Sequence, residues 1–218
     1  MRPDKARTVM DGAEAEMCTM GMTYAIALHE DFIKTCLSWL IPLGLFTKSK
    51  LNDTKTHNAH ENFASAAGCG MDADSLALFH LTRLTRNCHI HAGGAVDPRL
   101  SSAYSALTTN QSQLWERLTG EPFAVPSPGS AATVGVGGLI ATLAIGKRLA
   151  YDVNLGLQTA IPRDTWADMA AAEYFDQGSK SPRDPAALRS LKGYLRSGYT
   201  ALGLTDAELT SAIQRYKK

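Results

Sequence analysis

Apolar residues recur at threes and fours over most of the chain, which is the period of one face of an α-helix. From Asp11 the positions Met17, Met20, Tyr24, Ala27, Leu28, Phe32 and Cys36 follow this rhythm, and Ser38-Trp39-Leu40-Ile41 carries it on to Pro42 and Gly44. The pattern predicts a long first helix whose Met and aromatic residues face a core, preceded by a polar tail over residues 1–10. Lys48–Asp53 reads as a polar connection, and Asn52 or Asp53 as the cap of a second helix through His57, His60 and Phe63 to Gly68. Leu78, Leu81, Leu84 and Cys88 mark the buried side of a third helix, from Asp72 to the double glycine Gly93-Gly94. Asp97-Pro98 restarts a short helix, and Asn110 opens another with Leu114, Trp115 and Leu118 apolar.

The pattern breaks between Glu121 and Val136, where Pro122, Pro126, Pro128 and Gly129 interrupt Phe123, Val125 and Val134. A short β-hairpin near 122–136 is the expectation there. Residues 137–160 return to the helical period with Leu139, Leu143, Leu149 and Val153. Three helices are expected beyond Pro162, at about 164–176, 184–200 and 205–217. Thr165 with Asp168, and Thr205 with Glu208, have the spacing of capping boxes. The fold class is therefore all-α: a helical bundle over 1–160 and a small helical C-terminal unit over 161–218.

Composition narrows the function classes. Over 218 residues, 44% are hydrophobic and 20% charged, and the formal net charge is +1. A globular protein with no general attraction to polyanions is expected, so any nucleic-acid binding must come from a local patch. Residues from Gly146 onward hold 11 Lys/Arg against 8 Asp/Glu, a slight basic excess. Cys18, Cys36, Cys69 and Cys88 form no Cys-x-x-Cys pair and read as free thiols in a reducing compartment. No apolar run has the length of a membrane span, and the first residues lack signal-peptide character, so the expectation is a cytoplasmic protein without a membrane partner. Val134-Gly135-Val136-Gly137-Gly138 does not complete a dinucleotide fingerprint, and Gly146-Lys147 is followed by Arg148 rather than the P-loop Ser or Thr.

The helix from Asp72 to Gly94 concentrates the remaining chemistry. His80, Arg83, Asn87 and His91 lie at spacings of three, four and four on one side, with Arg86 beside Asn87. A guanidinium grips two phosphate oxygens and an imidazole exchanges protons near neutral pH. Arg86-Asn87-Cys88-His89-Ile90-His91 resembles the Arg–Asn–three residues–His motif of HEPN-domain ribonucleases, found at the end of a bundle helix. The resemblance implies an all-α HEPN-like bundle and a metal-independent endoribonuclease without cofactor, in a toxin or phage-defence setting. It implies RNA as substrate, a homodimer that brings arginine and histidine together around one phosphate, and an antitoxin or regulatory protein as a further partner.

Carried over, Arg86 matches the motif arginine, Asn87 its polar neighbour and His91 its histidine. Where some members carry a tyrosine downstream, this chain has Gly93, so no step that needs that tyrosine is expected. Arg86 and His91 stand about 140° apart on a straight helix, which a second copy would reconcile. His89, about 200° from His91, is expected on the other side in a structural role. His80 and Arg83 are candidate RNA contacts, and Glu61, on the preceding helix, a candidate to orient Arg86 within the RNA-binding cleft. Two other readings compete: a non-catalytic helical interaction or RNA-binding module, and a metalloenzyme with His57, His60, His89 and His91 as ligands.

Overall fold

The computed structural model describes residues 3–178 and 181–217. It is helical throughout, with α1 (Pro3–Leu40), α2 (Lys48–Asp53), α3 (Ala59–Ala67), α4 (Ala73–His91), α5 (Pro98–Ser105), α6 (Thr109–Thr119), α7 (Val136–Ala160), α8 (Arg163–Asp176), α9 (Ala187–Leu195) and α10 (Asp206–Tyr216). A 3₁₀ turn covers Thr200–Leu202. The chain divides into two compact units, Met1–Gly156 and Leu157–Lys218, against an expected break at 160/161. Among the described residues, no helix is long and apolar enough to cross a membrane.

The caps explain most boundaries. Thr47, Asp72 and Asp97 each accept a backbone N–H three residues on, which satisfies a donor that the first turn leaves free. Thr108 with Gln111 opens α6 by a reciprocal capping box. Gly68 and Gly120 end α3 and α6 in the left-handed region, at φ 65 and 72. In the second unit, Thr205 and Glu208 form the expected box, whereas Thr165 lies inside α8, which starts one residue after Pro162.

Four further expectations need correction. Pro3 stands inside the first turn of α1, where its missing N–H is tolerated, so helix replaces the expected polar tail from residue 3 onward. Thr47 caps Lys48–Asp53 as a helix of its own, and the turn at 56–58 separates it from α3. No hairpin forms near 122–136: the three prolines remove ladder donors, and the segment bonds instead to the connection that follows α4. Its contacts are Gly129 N–H to Val96 O at 2.8 Å, Val96 N–H to Ser130 O at 2.8 Å and Ala132 N–H to Gly94 O at 2.8 Å, around one bridge between Ala95 and Ala131.

The fourth concerns the buried face of α1. The core of the first unit takes Cys18, Met22 and Ile26 from α1 with Leu78, Phe79, Leu81 and Cys88 from α4 and Ala141, Ile145 and Leu149 from α7. Met17, Met20, Tyr24 and Leu28, expected in the core, are 52–68% exposed. Two apolar faces share α1, and the sequence period alone does not say which one the bundle covers. The second unit has its own core of Ala167, Ala170, Ala171, Tyr174, Phe175, Leu191, Leu195, Leu209 and Ile213. Around it, Glu173 accepts hydrogen bonds from the hydroxyls of Tyr194, at 2.5 Å, and Tyr199.

Candidate functional site

α4 carries the site, and its two ends are held differently. At the start, Asp72 accepts from Ser75 N–H at 2.7 Å, and Arg148 on α7 donates to the Ser75 hydroxyl at 2.8 Å. At the end, the N–H of Gly94 reaches the Cys88 carbonyl at 3.0 Å, with Gly93 and Gly94 at φ 59 and 80. This stop, tied to residues 129–132, fixes where the last turn of α4 lies. Leu78, Leu81 and Cys88 are buried, as their spacing predicts, and Leu84 packs partly against the same core.

The polar residues of α4 fall into three groups. The first faces α3: His80 Nε2 and Glu61 Oε1 are 3.2 Å apart, and Arg83 Nε donates to His80 Nδ1 at 3.5 Å. Burial pushes the His80 imidazolium down, and Glu61 opposes this only partly, so His80 is neutral at pH 7. Burial also lowers the Arg83 guanidinium, although an arginine keeps its charge at any ordinary pH. Glu61 thus meets His80 and acts on Arg83, rather than orienting Arg86 as expected.

The second group is Arg86 and Asn87. Arg86 Nη1 donates to the Asn87 side-chain oxygen at 3.2 Å, while Arg86 Nε is buried without a hydrogen-bond partner. The charge of Arg86 is felt by Glu30 on α1. Burial raises the Glu30 carboxyl, but hydrogen bonds from Lys34 and Thr56 and the charges of Lys34 and Arg86 outweigh it and hold the group low. The guanidinium therefore sits half-buried with donor capacity to spare.

The third group is the pair of histidines in the last turn. His91 is exposed, and no hydrogen bond or ion pair joins it to Arg86 among the described residues. His89 lies on another side, as the helix phase requires, where it lines a groove of about 570 Å³ with Glu16, Thr19, Met20, Thr23 and Tyr24 of α1 and with Gly93 and Gly94. Its Nε2 is buried without a partner. Within one chain the structure brings together Arg86 with Asn87 and Glu61 with His80 and Arg83; it leaves His91 apart from both.

Sequence reasoning missed one constellation. His29 Nε2 and His60 Nε2 are 3.0 Å apart, in an aromatic setting with Phe79, and His60 is fully buried. Burial pushes His29 down to about 4. Burial, then the neighbouring His29 and His80, push His60 to about 3. Both rings are neutral at pH 7, one nitrogen donating and the other accepting. The signal was present, since His29 falls in phase with Met22, Ile26 and Ile33, all buried. His60 therefore faces His29, and His89 faces the α1 groove. Among the described residues, no group of three His, Cys, Asp or Glu side chains comes together to hold a metal ion. Compared with protein-family models, curated proteins and solved structures, the chain matches none.

Proposed function

We propose that the first unit is a metal-independent endoribonuclease of HEPN type, acting as a homodimer in a toxin or phage-defence role, with Arg86 and His91 as catalytic residues. The observation that carries this reading is Arg86: a half-buried guanidinium with an unpartnered Nε, held by Asn87 one turn before an exposed histidine at a fixed helix end. The guanidinium keeps donors that Asn87 does not use, and a phosphate oxygen would satisfy those that reach the surface. The Arg83–His80–Glu61 chain lies further along the same helix, so RNA lying along α4 would meet Arg83 and His80 as additional contacts. An antitoxin or regulatory protein belongs to the same proposal.

The reaction uses the RNA 2′-hydroxyl as nucleophile. One imidazole takes its proton as the 2′-oxygen bonds to phosphorus, and a protonated imidazole gives a proton to the departing 5′-oxygen. Arg86 stabilises the doubly charged phosphorane, and Asn87 fixes the Arg86 head group. The products are a 2′,3′-cyclic phosphate and a 5′-hydroxyl. The imidazolium formed in the first step can return that proton to the 5′-oxygen, and because Arg86 does not contact its own His91, a second copy supplies the histidine of each cleft. In a cleavage assay on single-stranded RNA with EDTA present, the wild type should cut and His91→Ala should be inactive with an unchanged melting curve. Arg86→Lys should lose at least about tenfold, since an ammonium keeps the charge and loses the fork. Loss of wild-type cleavage in EDTA, restored by zinc, would replace this mechanism with metal-dependent hydrolysis. A folded protein that cuts no RNA would favour the non-catalytic interaction module, for which the exposed apolar face of α1 speaks.

A further inference from the structure

The exposed face of α1 is more ordered than a scatter of surface apolar residues. Met10, Ala13, Met17, Met20, Tyr24 and Ala27 follow the alternating three–four spacing of a heptad seam, and all six are exposed. The next position in that register, Asp31, is charged and ends the seam. The core face of the same helix, through Cys18, Met22, Ile26 and Ile33, lies elsewhere on its circumference. Leu28, Phe32 and Leu143 on one side and Ile90 on the other, 37–55% exposed, lie beside the seam. Together with the four large seam residues, 65–70% exposed, they present roughly 900 Å² per copy at about 200 Å² for each fully exposed side chain. A stable dimer needs about 800 Å² from each partner.

We propose that residues 10–27 of α1 pair antiparallel with the same residues of a second copy, with the twofold axis between Met17 and Met20. The sequence of sizes along the seam singles out this partner. Antiparallel pairing about that axis sets Met10 against Ala27, Ala13 against Tyr24 and Met17 against Met20 of the second copy. Every layer then holds one large and one small side chain or two of middle size, as even packing requires. A parallel, in-register pair would stack Tyr24 on Tyr24 and Ala13 on Ala13, which overfills one layer and empties another. In the antiparallel arrangement Glu14 and Glu16 stand level with Thr23 and Gly21 of the second copy rather than with each other, so like charges do not oppose.

The seam itself does not depend on the ribonuclease reading; its consequence for catalysis does. The groove that holds His89, Gly93 and Gly94 is walled by Met20, Thr23 and Tyr24, next to the proposed axis. Pairing there covers the groove and brings the two α4 ends to opposite sides of one axis. That supplies the neighbouring His91 which a single copy lacks.

Sedimentation velocity without RNA tests the seam separately from the chemistry. The wild type should be a dimer at micromolar concentration, and Met20→Glu a monomer with an unchanged circular dichroism spectrum and melt, because Met20 is 65% exposed in the single chain. Ala13→Tyr and Tyr24→Ala should each weaken the dimer by about tenfold or more. Combining them exchanges large and small within one layer and should restore it. A wild type that stays monomeric at high micromolar concentration overturns the proposal. So does a Met20→Glu dimer, or a double variant weaker than either single. Wild-type protein that sediments with phosphatidylglycerol vesicles as a monomer would give the face to a membrane surface instead. A dimer that cuts no RNA leaves the seam standing and removes the ribonuclease reading.

Discussion

The histidine pair shows how two side chains set a property of the whole first unit. His29 and His60 titrate at about 4 and about 3 in the folded chain, below the ordinary value of 6.5. Unfolded, both bind protons from pH 6.5 downward, while the folded pair does not. Stability from these groups is therefore complete above pH 6.5 and falls as the pH drops toward 4 and 3. His80 and Glu61 border the pair, and the neutral His80 adds to the same trend. Thermal melts between pH 7 and pH 4 should show this decline, and His29→Phe with His60→Leu should flatten it. An unchanged slope in that variant would move the acid sensitivity to other groups. Sequence reading placed His60 among metal ligands because spacing along one helix is visible and a partner 31 residues earlier is not.

Most helices were legible where a cap or a glycine marks them, although the Thr47 cap of α2 was not seen and Thr165 with Asp168 marks no start. Asp72, Asp97, Thr205 with Glu208, and Gly93-Gly94 all act as their chemistry requires. What the pattern could not supply was phase and partner. On α1 the period is right, but two apolar faces compete and the buried one was misassigned. On α7 the same holds for Leu143, which is exposed while Ala141 and Ile145 are fully buried. The glycines around the start of α7 read only as an incomplete nucleotide loop. The structure gives one a packing role: a Cβ on Gly137 would lie 2.3 Å from the Thr119 carbonyl oxygen. Gly137→Ala must therefore shift the start of α7 away from the end of α6, and should lower unit stability by roughly 1–3 kcal/mol. Urea unfolding followed by circular dichroism would read this directly. A neutral result would mean that α7 can slide at no cost.

At the scale of the whole molecule, the all-α architecture and two helical units could be anticipated from period and punctuation. The exposed apolar face of α1 could not, because helical spacing marks an apolar face without naming what covers it. Net charge of +1 gives the chain no general attraction to RNA, so the proposed binding would need Arg86, Arg83 and their equivalents gathered at one place. The proposed twofold pairing along α1 would gather them, and this joins the fold to the proposed chemistry.

Mixing two inactive variants tests that joint claim most directly. Arg86→Ala and His91→Ala should each fail to cut single-stranded RNA in EDTA. Exchanged into mixed dimers, they should recover roughly a quarter of wild-type activity if each cleft takes one residue from either copy. The product should carry a 2′,3′-cyclic phosphate, and adding Met20→Glu to both variants should abolish the recovery. A mixture as inactive as its components, beside a wild type that cuts RNA, would place arginine and histidine in one chain and contradict the shared site. A wild type that cuts no RNA would contradict the catalytic assignment itself.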